Sequence, residues 1–186
     1  MPRAGLTPTT VARTARRLVD ERGVPALTMS AVAAELGVAP PSLYKHVDGL
    51  EDLLGLVAVD AADQLARDLG DAVRGLAGRD ALAALAHAYR AFARSHPGSY
   101  PLTQHRVAGE EFATAAARVL DCITAALAGY GAAAVDEHHV RVLRSSLHGF
   151  VDIEAGGGFA LPVDIDDSFA VLVDSLDALL RAAASR

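Results

Sequence analysis

Ser42, Tyr44, Lys45 and His46 bring a hydroxyl, a phenol, an ammonium and an imidazole into a stretch of five residues. Leu43 and Val47 stand four apart and take the inward positions of a short helix, so the polar set points outward together. A cation flanked by adaptable hydrogen-bonding groups suits phosphate oxygens and the base edges of a DNA major groove. Chemistry of that kind needs a rigid element to present it.

The flanking residues supply one. Thr28 is placed to cap a helix whose apolar positions Val32, Ala33 and Leu36 share a face. Gly37 comes next, where a helix ends in the left-handed conformation that glycine adopts without penalty. Pro40 and Pro41 belong in a first helical turn, because proline lacks only an N–H that would be unpaired there. The spacing predicts a helix-turn-helix over residues 28–50. Ahead of it, Thr7 caps a helix from Pro8 to Arg22 with Val11, Ala15, Leu18 and Val19 inward, and Gly23 closes it.

Beyond the Asp48-Gly49 turn the pattern predicts only helices, at about 50–69, 81–94, 110–128, 135–154 and 166–183, with Asp166 or Asp167 capping the last. Three glycines between Gly70 and Arg79 mark a candidate boundary. The fold class is therefore all-α. A DNA-binding head occupies residues 1–49 and a helical-bundle sensing and dimerisation domain occupies 50–186, with the helix at about 50–69 connecting them.

Charge is divided the same way. Residues 1–47 carry a formal charge of +3 and residues 48–186 carry −9, a basic head on an acidic body. Lys45 is the only lysine. One cysteine, Cys122, excludes an intramolecular disulfide and reads as a small buried side chain. The N-terminal residues lack the apolar core of a signal peptide, and no uninterrupted apolar run approaches the roughly 20 residues of a membrane span, so a cytoplasmic protein is expected. An enzyme is disfavoured. Asp136, Glu137, His138, His139 and Glu154 lack the Glu-x-x-His pairs of a bundle metal site, and no HExxH, phosphate loop or nucleophile elbow occurs. No metal or cofactor is expected.

Phe169, Leu172, Val173, Leu176 and Leu180 recur at three- and four-residue spacing along the last helix. Such a stripe is either the core of one chain or the seam of a dimer. A two-fold partner would place two recognition helices about one turn of DNA apart. Candidate walls for a small-molecule pocket are Tyr89, Phe92, Tyr100, His105, Phe112, His148 and Phe150, each of which could equally be ordinary core.

The string LTMSAVAAELGVAPPSLYKHVDGLEDLL, Leu27 to Leu54, closely resembles the head of the TetR family of bacterial transcriptional regulators. The resemblance implies that Tyr44 and His46 contact the phosphate backbone. It implies further that Pro41, Ser42 and Lys45 face bases or the adjacent sugar-phosphate, and that Thr28, Met29 and Ser30 lie over a phosphate. Two positions depart from the pattern: Ala39 stands where a capping residue is usual, and Leu50 where a phosphate-binding lysine is frequent. The string from Leu143 to Phe169 resembles the subset with a Trp-His-Gly motif, Leu147 standing at the tryptophan. The family implies an all-α homodimer on a pseudo-palindromic operator, with an unidentified, mostly apolar effector in the body. It also tips the C-terminal stripe toward intersubunit burial, with Gly149 permitting close helix approach. A repressor released by its ligand is the expectation. A regulator with no small-molecule ligand, and an activator, are the alternatives.

Overall fold

The computed structural model describes residues 6–104, 109–131 and 136–185, so the expectation at His105 lies outside the described residues. Helices α1 (Pro8–Arg22), α2 (Met29–Leu36), α3 (Leu50–Val73), α4 (Gly78–Ser95), α5 (Glu110–Leu127), α6 (Glu137–Ala155) and α7 (Ile165–Ala184) make up the chain, with no strand among the described residues. The chain is all-α. Its residues fall into two compact units, one drawn from 1–64 and 95–116, the other from 65–94 and 117–186.

In the first unit the Thr7 hydroxyl accepts from the Thr10 N–H at 3.1 Å and caps α1, whose far end closes at Gly23 with φ 79°. Val11, Ala15, Leu18 and Val19 meet Val32 and Ala33 of α2, Leu43, Val47, Leu53 and Val57, all at most 3 % exposed. Leu102 packs on this cluster, and Phe112 and Ala115 pack against Ala58 and Ala62, so residues 95–116 are part of the unit that holds α1 and α2. The turn after α4 is seated on α1. Asp20 accepts from the Ser99 N–H at 2.8 Å and pairs with His96 Nδ1 at 2.9 Å. At Gly98 a Cβ would stand 2.1 Å from the Val19 carbonyl oxygen, a distance only backbone movement could relieve. Gly98→Ala should therefore destabilise the protein by about 2 kcal/mol in chemical denaturation; an unchanged midpoint would mean that the turn does not sit against α1.

The second unit buries Leu82, Leu85 and Tyr89 of α4, Ile123 and Leu127 of α5, Leu143, Leu147 and Val151 of α6, and one face of α7. Its buried Asp177 is satisfied by the Tyr130 hydroxyl at 2.5 Å and Arg181 Nε at 2.9 Å, and that burial holds the Tyr130 phenol above its ordinary value. The Cys122 thiol is half-buried and donates to the Ala66 carbonyl at 3.3 Å; burial pushes its ionisation up.

Several boundaries differ from the sequence pattern. α3 runs on through Gly70 to Val73, leaving a break of residues 74–77 where a longer boundary was expected. Gly70 lies inside the helix beside Cys122, whose Sγ would be 3.5 Å from a Cβ there, an ordinary packing contact. Asp164, not Asp166 or Asp167, caps α7, accepting from the N–H groups of both at 2.7 and 3.1 Å. The stretch Glu110–Tyr130 is long and apolar enough to cross a membrane by length and composition, with mean hydropathy 1.4. It also carries Glu110, Glu111, Arg118 and Asp121 and buries Phe112, Ile123 and Leu127, as an amphipathic core helix does.

Candidate nucleic-acid interface

The helix-turn-helix begins at Thr28, whose hydroxyl accepts from the Ala31 N–H at 3.1 Å and so satisfies one of the unpaired amides in the first turn of α2. Ser30 is exposed and Met29 half-buried against the core cluster. Gly37 ends α2 in the left-handed region at φ 66°, ψ 33°. The chain then turns through Val38 and an extended Ala39, which has no side chain to cap the recognition element.

That element is not the expected α-helix. Pro40–Lys45 form a 3₁₀ helix, held by Ser42 N–H to Ala39 O at 2.9 Å and His46 N–H to Leu43 O at 2.8 Å. The cause is local. Two successive prolines remove two donors, the cap is missing, and the six-residue element has too little length to establish α-type bonds. Just past it, the Val47 N–H reaches back four residues to Leu43, at 3.1 Å. In 3₁₀ geometry residues three apart eclipse, which sorts the side chains into rows. Leu43 is fully buried, and His46, on its row, is half-buried. The other two rows are Pro41 with Tyr44 and Ser42 with Lys45; Pro41 and Lys45 are exposed, Tyr44 is 57 % exposed, and Ser42, like His46, is half-buried.

Electrostatics narrow the interface further. Arg17 and Arg22 both pair with Glu35, at 3.4 and 3.1 Å, and Arg16 pairs with Asp60 at 2.7 Å. Among the described residues no acidic partner engages Lys45. Three of the head's arginines are thus engaged by carboxylates, which total charge could not reveal. At the start of α3, Leu50 is 42 % exposed and Asp52 accepts from the Asp48 N–H at 2.9 Å, a carboxylate turned back to cap its own helix.

A tetR-family model, described as bacterial regulatory proteins, matches residues 11–56, and a tetracyclin repressor-like C-terminal domain matches residues 82–176. The chain belongs to the TetR family. It is a DNA-binding transcriptional regulator, not an enzyme. The uncharacterized HTH-type transcriptional regulator YobS of Bacillus subtilis is 32 % identical over 171 residues, covering 91 % of this chain and 90 % of that protein. Rv0681 of Mycobacterium tuberculosis, described in the same terms, is 34 % identical over 198 residues, covering 98 % and 88 %. Among solved structures, TetR-Q116A of Acinetobacter baumannii in complex with minocycline superposes with a TM-score of 0.71 at 22 % identity, covering 98 % and 100 %, a likeness of fold. Regulators of the TetR family bind operator DNA and dimerise.

The residues expected to line a pocket are divided between the two compact units. Tyr100 and Phe112 are buried in the first compact unit; Tyr89 and Phe92 are buried, and His148 and Phe150 half-buried, in the second. Phe150 is already engaged, 4.8 Å from Phe159 and 5.0 Å from Phe169. Arg90 joins them, its guanidinium 4.7 Å from the Phe169 ring centre and 5.6 Å from that of Phe150, paired with Glu154 and Asp166. Sequence reasoning missed Arg90; its only signal was an arginine between Tyr89 and Phe92 on an otherwise apolar helix face.

The expected dimer residues are mostly the chain's own core. Phe169, Val173, Leu176 and Leu180 are 0–4 % exposed within the single chain, and Leu172 is half-buried. An apolar side chain already removed from water has little left to gain from a partner. Gly149 is different, because, its own helical turn aside, no atom of the described residues lies within 4 Å of where its Cβ would be. Among the described residues no other helix exploits the close approach that the glycine allows.

Proposed function

We propose that the chain is a homodimeric repressor that reads a pseudo-palindromic operator in the cytoplasm and leaves it on binding a small, mostly apolar ligand. Residues 1–49 read DNA, and residues 50–186 sense and dimerise. The observation that carries this reading is the exposure of Pro41, Tyr44 and Lys45 on the 3₁₀ element. In this reading Lys45 and Ser42 reach base edges or the neighbouring sugar-phosphate, Pro41 packs against them, and Tyr44 and His46 hold the phosphate backbone. Thr28, Met29 and Ser30 place the start of α2 over a further phosphate. Dimerisation uses the outward faces of the last two helices. Val142, Gly149 and Ile153 follow one face of α6, and Val171 and Leu179 one face of α7, all partly or largely exposed.

The test is a gel shift with DNA from upstream of the chain's own gene, at fixed salt with nonspecific competitor. Tyr44→Ala and Lys45→Ala should each weaken a specific complex roughly tenfold to hundredfold with an unchanged melting temperature, since both side chains are exposed. Undiminished binding by both variants would remove the assignment. A regulator controlled without a small molecule is the second reading, favoured by the closed packing of Phe150 against Phe159 and Phe169. Ligands that raise the melting temperature and release the operator separate the two.

A further inference from the structure

Every DNA phosphate carries a negative charge, and a protein that binds the duplex must bring cations to some of them. Residues 11–56, the stretch matched to the family's DNA-binding part, hold five basic side chains against six acidic ones. That stretch has no positive net charge to draw on, so its ionic affinity depends on which single cations are free. Arg16, Arg17 and Arg22 are engaged by Asp60 and Glu35. Moving one of them to a phosphate trades one anionic partner for another, with little gain. Among the described residues, Arg13 and Lys45 are the two cations of this stretch that no carboxylate engages, and both are exposed.

Lys45 lies in the recognition element, whereas Arg13 stands on α1, in a groove of about 600 Å³ that the hydroxyl-bearing Thr10 and Thr14 also line. The two carboxylates of that groove leave the guanidinium unanswered. Asp20 accepts from the Ser99 N–H and pairs with His96, while Glu21 stands about 12 Å farther along the helix axis than Arg13. Position along α1 matters as well. The turn after α4 is seated on the C-terminal half of this helix, at Asp20 and at the Val19 carbonyl. Arg13 comes roughly 10 Å before Asp20 along the axis, toward Thr7 and clear of that seat. A free guanidinium with hydroxyls beside it is a donor set for phosphate oxygens, and it reads no sequence. We propose that Arg13 grips a phosphate of the DNA backbone, so that the ionic contacts of each chain are shared between Lys45 and Arg13. The inference rests on the DNA-reading assignment of Lys45 and adds to it a contact on α1.

The experiment follows the full chain binding to two fluorescent duplexes, one from upstream of its own gene and one of random sequence, by anisotropy over a series of salt concentrations. Wild type is compared with Arg13→Gln, Arg13→Lys and Lys45→Gln. Each phosphate contact adds about 0.9 to the steepness with which log affinity falls against log salt. Arg13→Gln should make that slope shallower by about 1 for each bound chain, and weaken both duplexes by the same factor, roughly fivefold to tenfold at fixed salt. Arg13→Lys should restore most of the slope, because it returns the charge. The melting temperature should stay at the wild-type value in all three, since both side chains are exposed and no carboxylate engages them. An unchanged slope for Arg13→Gln, with a shallower one for Lys45→Gln, overturns the Arg13 contact and leaves the recognition element in place. Unchanged slopes for both variants overturn the two assignments together. Weaker binding by Arg13→Gln with a lowered melting temperature and the wild-type slope makes the arginine a structural residue of α1, and overturns the contact as well.

Discussion

Leu176→Glu is expected to abolish the cooperative folding of the body, not merely to separate two subunits. Leu176 is 4 % exposed, on the α7 face that also buries Phe169, Val173 and Leu180. A carboxylate at that depth must either remain charged without a partner or take up a proton, and both oppose folding. The loss should be at least about 4 kcal/mol, against a total stability of roughly 5–15 kcal/mol for a domain. Circular dichroism melting should show a broad or absent transition. A folded, monomeric variant with a wild-type melting temperature would instead make the stripe an intersubunit seam. Val171→Asp is the counterpart on the opposite face: Val171 is 65 % exposed, so its replacement should leave the fold intact.

Arg90→Met is the second large effect. It removes the cation that holds Glu154 and Asp166, whose side chains are 15 % and 77 % exposed. Asp166 can return to water, but Glu154 is left nearly buried without its partner. The expected loss is about 3 kcal/mol, seen as a lower denaturation midpoint. Arg90→Met with Glu154→Gln should recover about half of it, because the remaining buried group is then neutral. The pair also sets an acid limit. Hydrogen bonding to Arg90 holds the Glu154 carboxyl below its ordinary value of 4.5, against the opposing effect of burial. A group depressed in the folded state contributes its full stability above its unfolded value, and that contribution is lost as pH falls through the folded one. Wild-type stability should therefore decline below pH 4.5, and Arg90→Met should flatten that decline. Parallel acid profiles for the two proteins would mean that Arg90 does not set the ionisation of Glu154.

Much of the head was legible because its signals are local. A cap such as Thr7 or Thr28, a left-handed Gly37 and the inward spacing of Val11, Leu18 and Val19 act within a few residues, and the structure has each where the spacing puts it. The polar face Ser42–Tyr44–Lys45 was legible for the same reason. The 3₁₀ geometry was not. Whether two prolines begin an α-helix or a tighter turn depends on how far the helix can extend before Asp48-Gly49, and on Leu43 and Val47 finding the head core.

The body shows what periodicity leaves open. A stripe from Phe169 to Leu180 announces that one face of α7 is buried, but burial against one's own chain and burial against a partner leave the same spacing. Tertiary packing decided it, turning that face inward and leaving Val171 and Leu179 outside. Charges behaved alike: residue order shows a basic head and an acidic body, but the engagement of Arg16, Arg17 and Arg22 by Asp60 and Glu35 arises only on folding. Arg90 is the clearest case, since its partners Glu154 and Asp166 lie far along the chain. Helical periodicity and capping are properties of neighbouring residues and can be read from order alone. Ion pairs and shared cores join distant residues, and they exist only once the chain has folded.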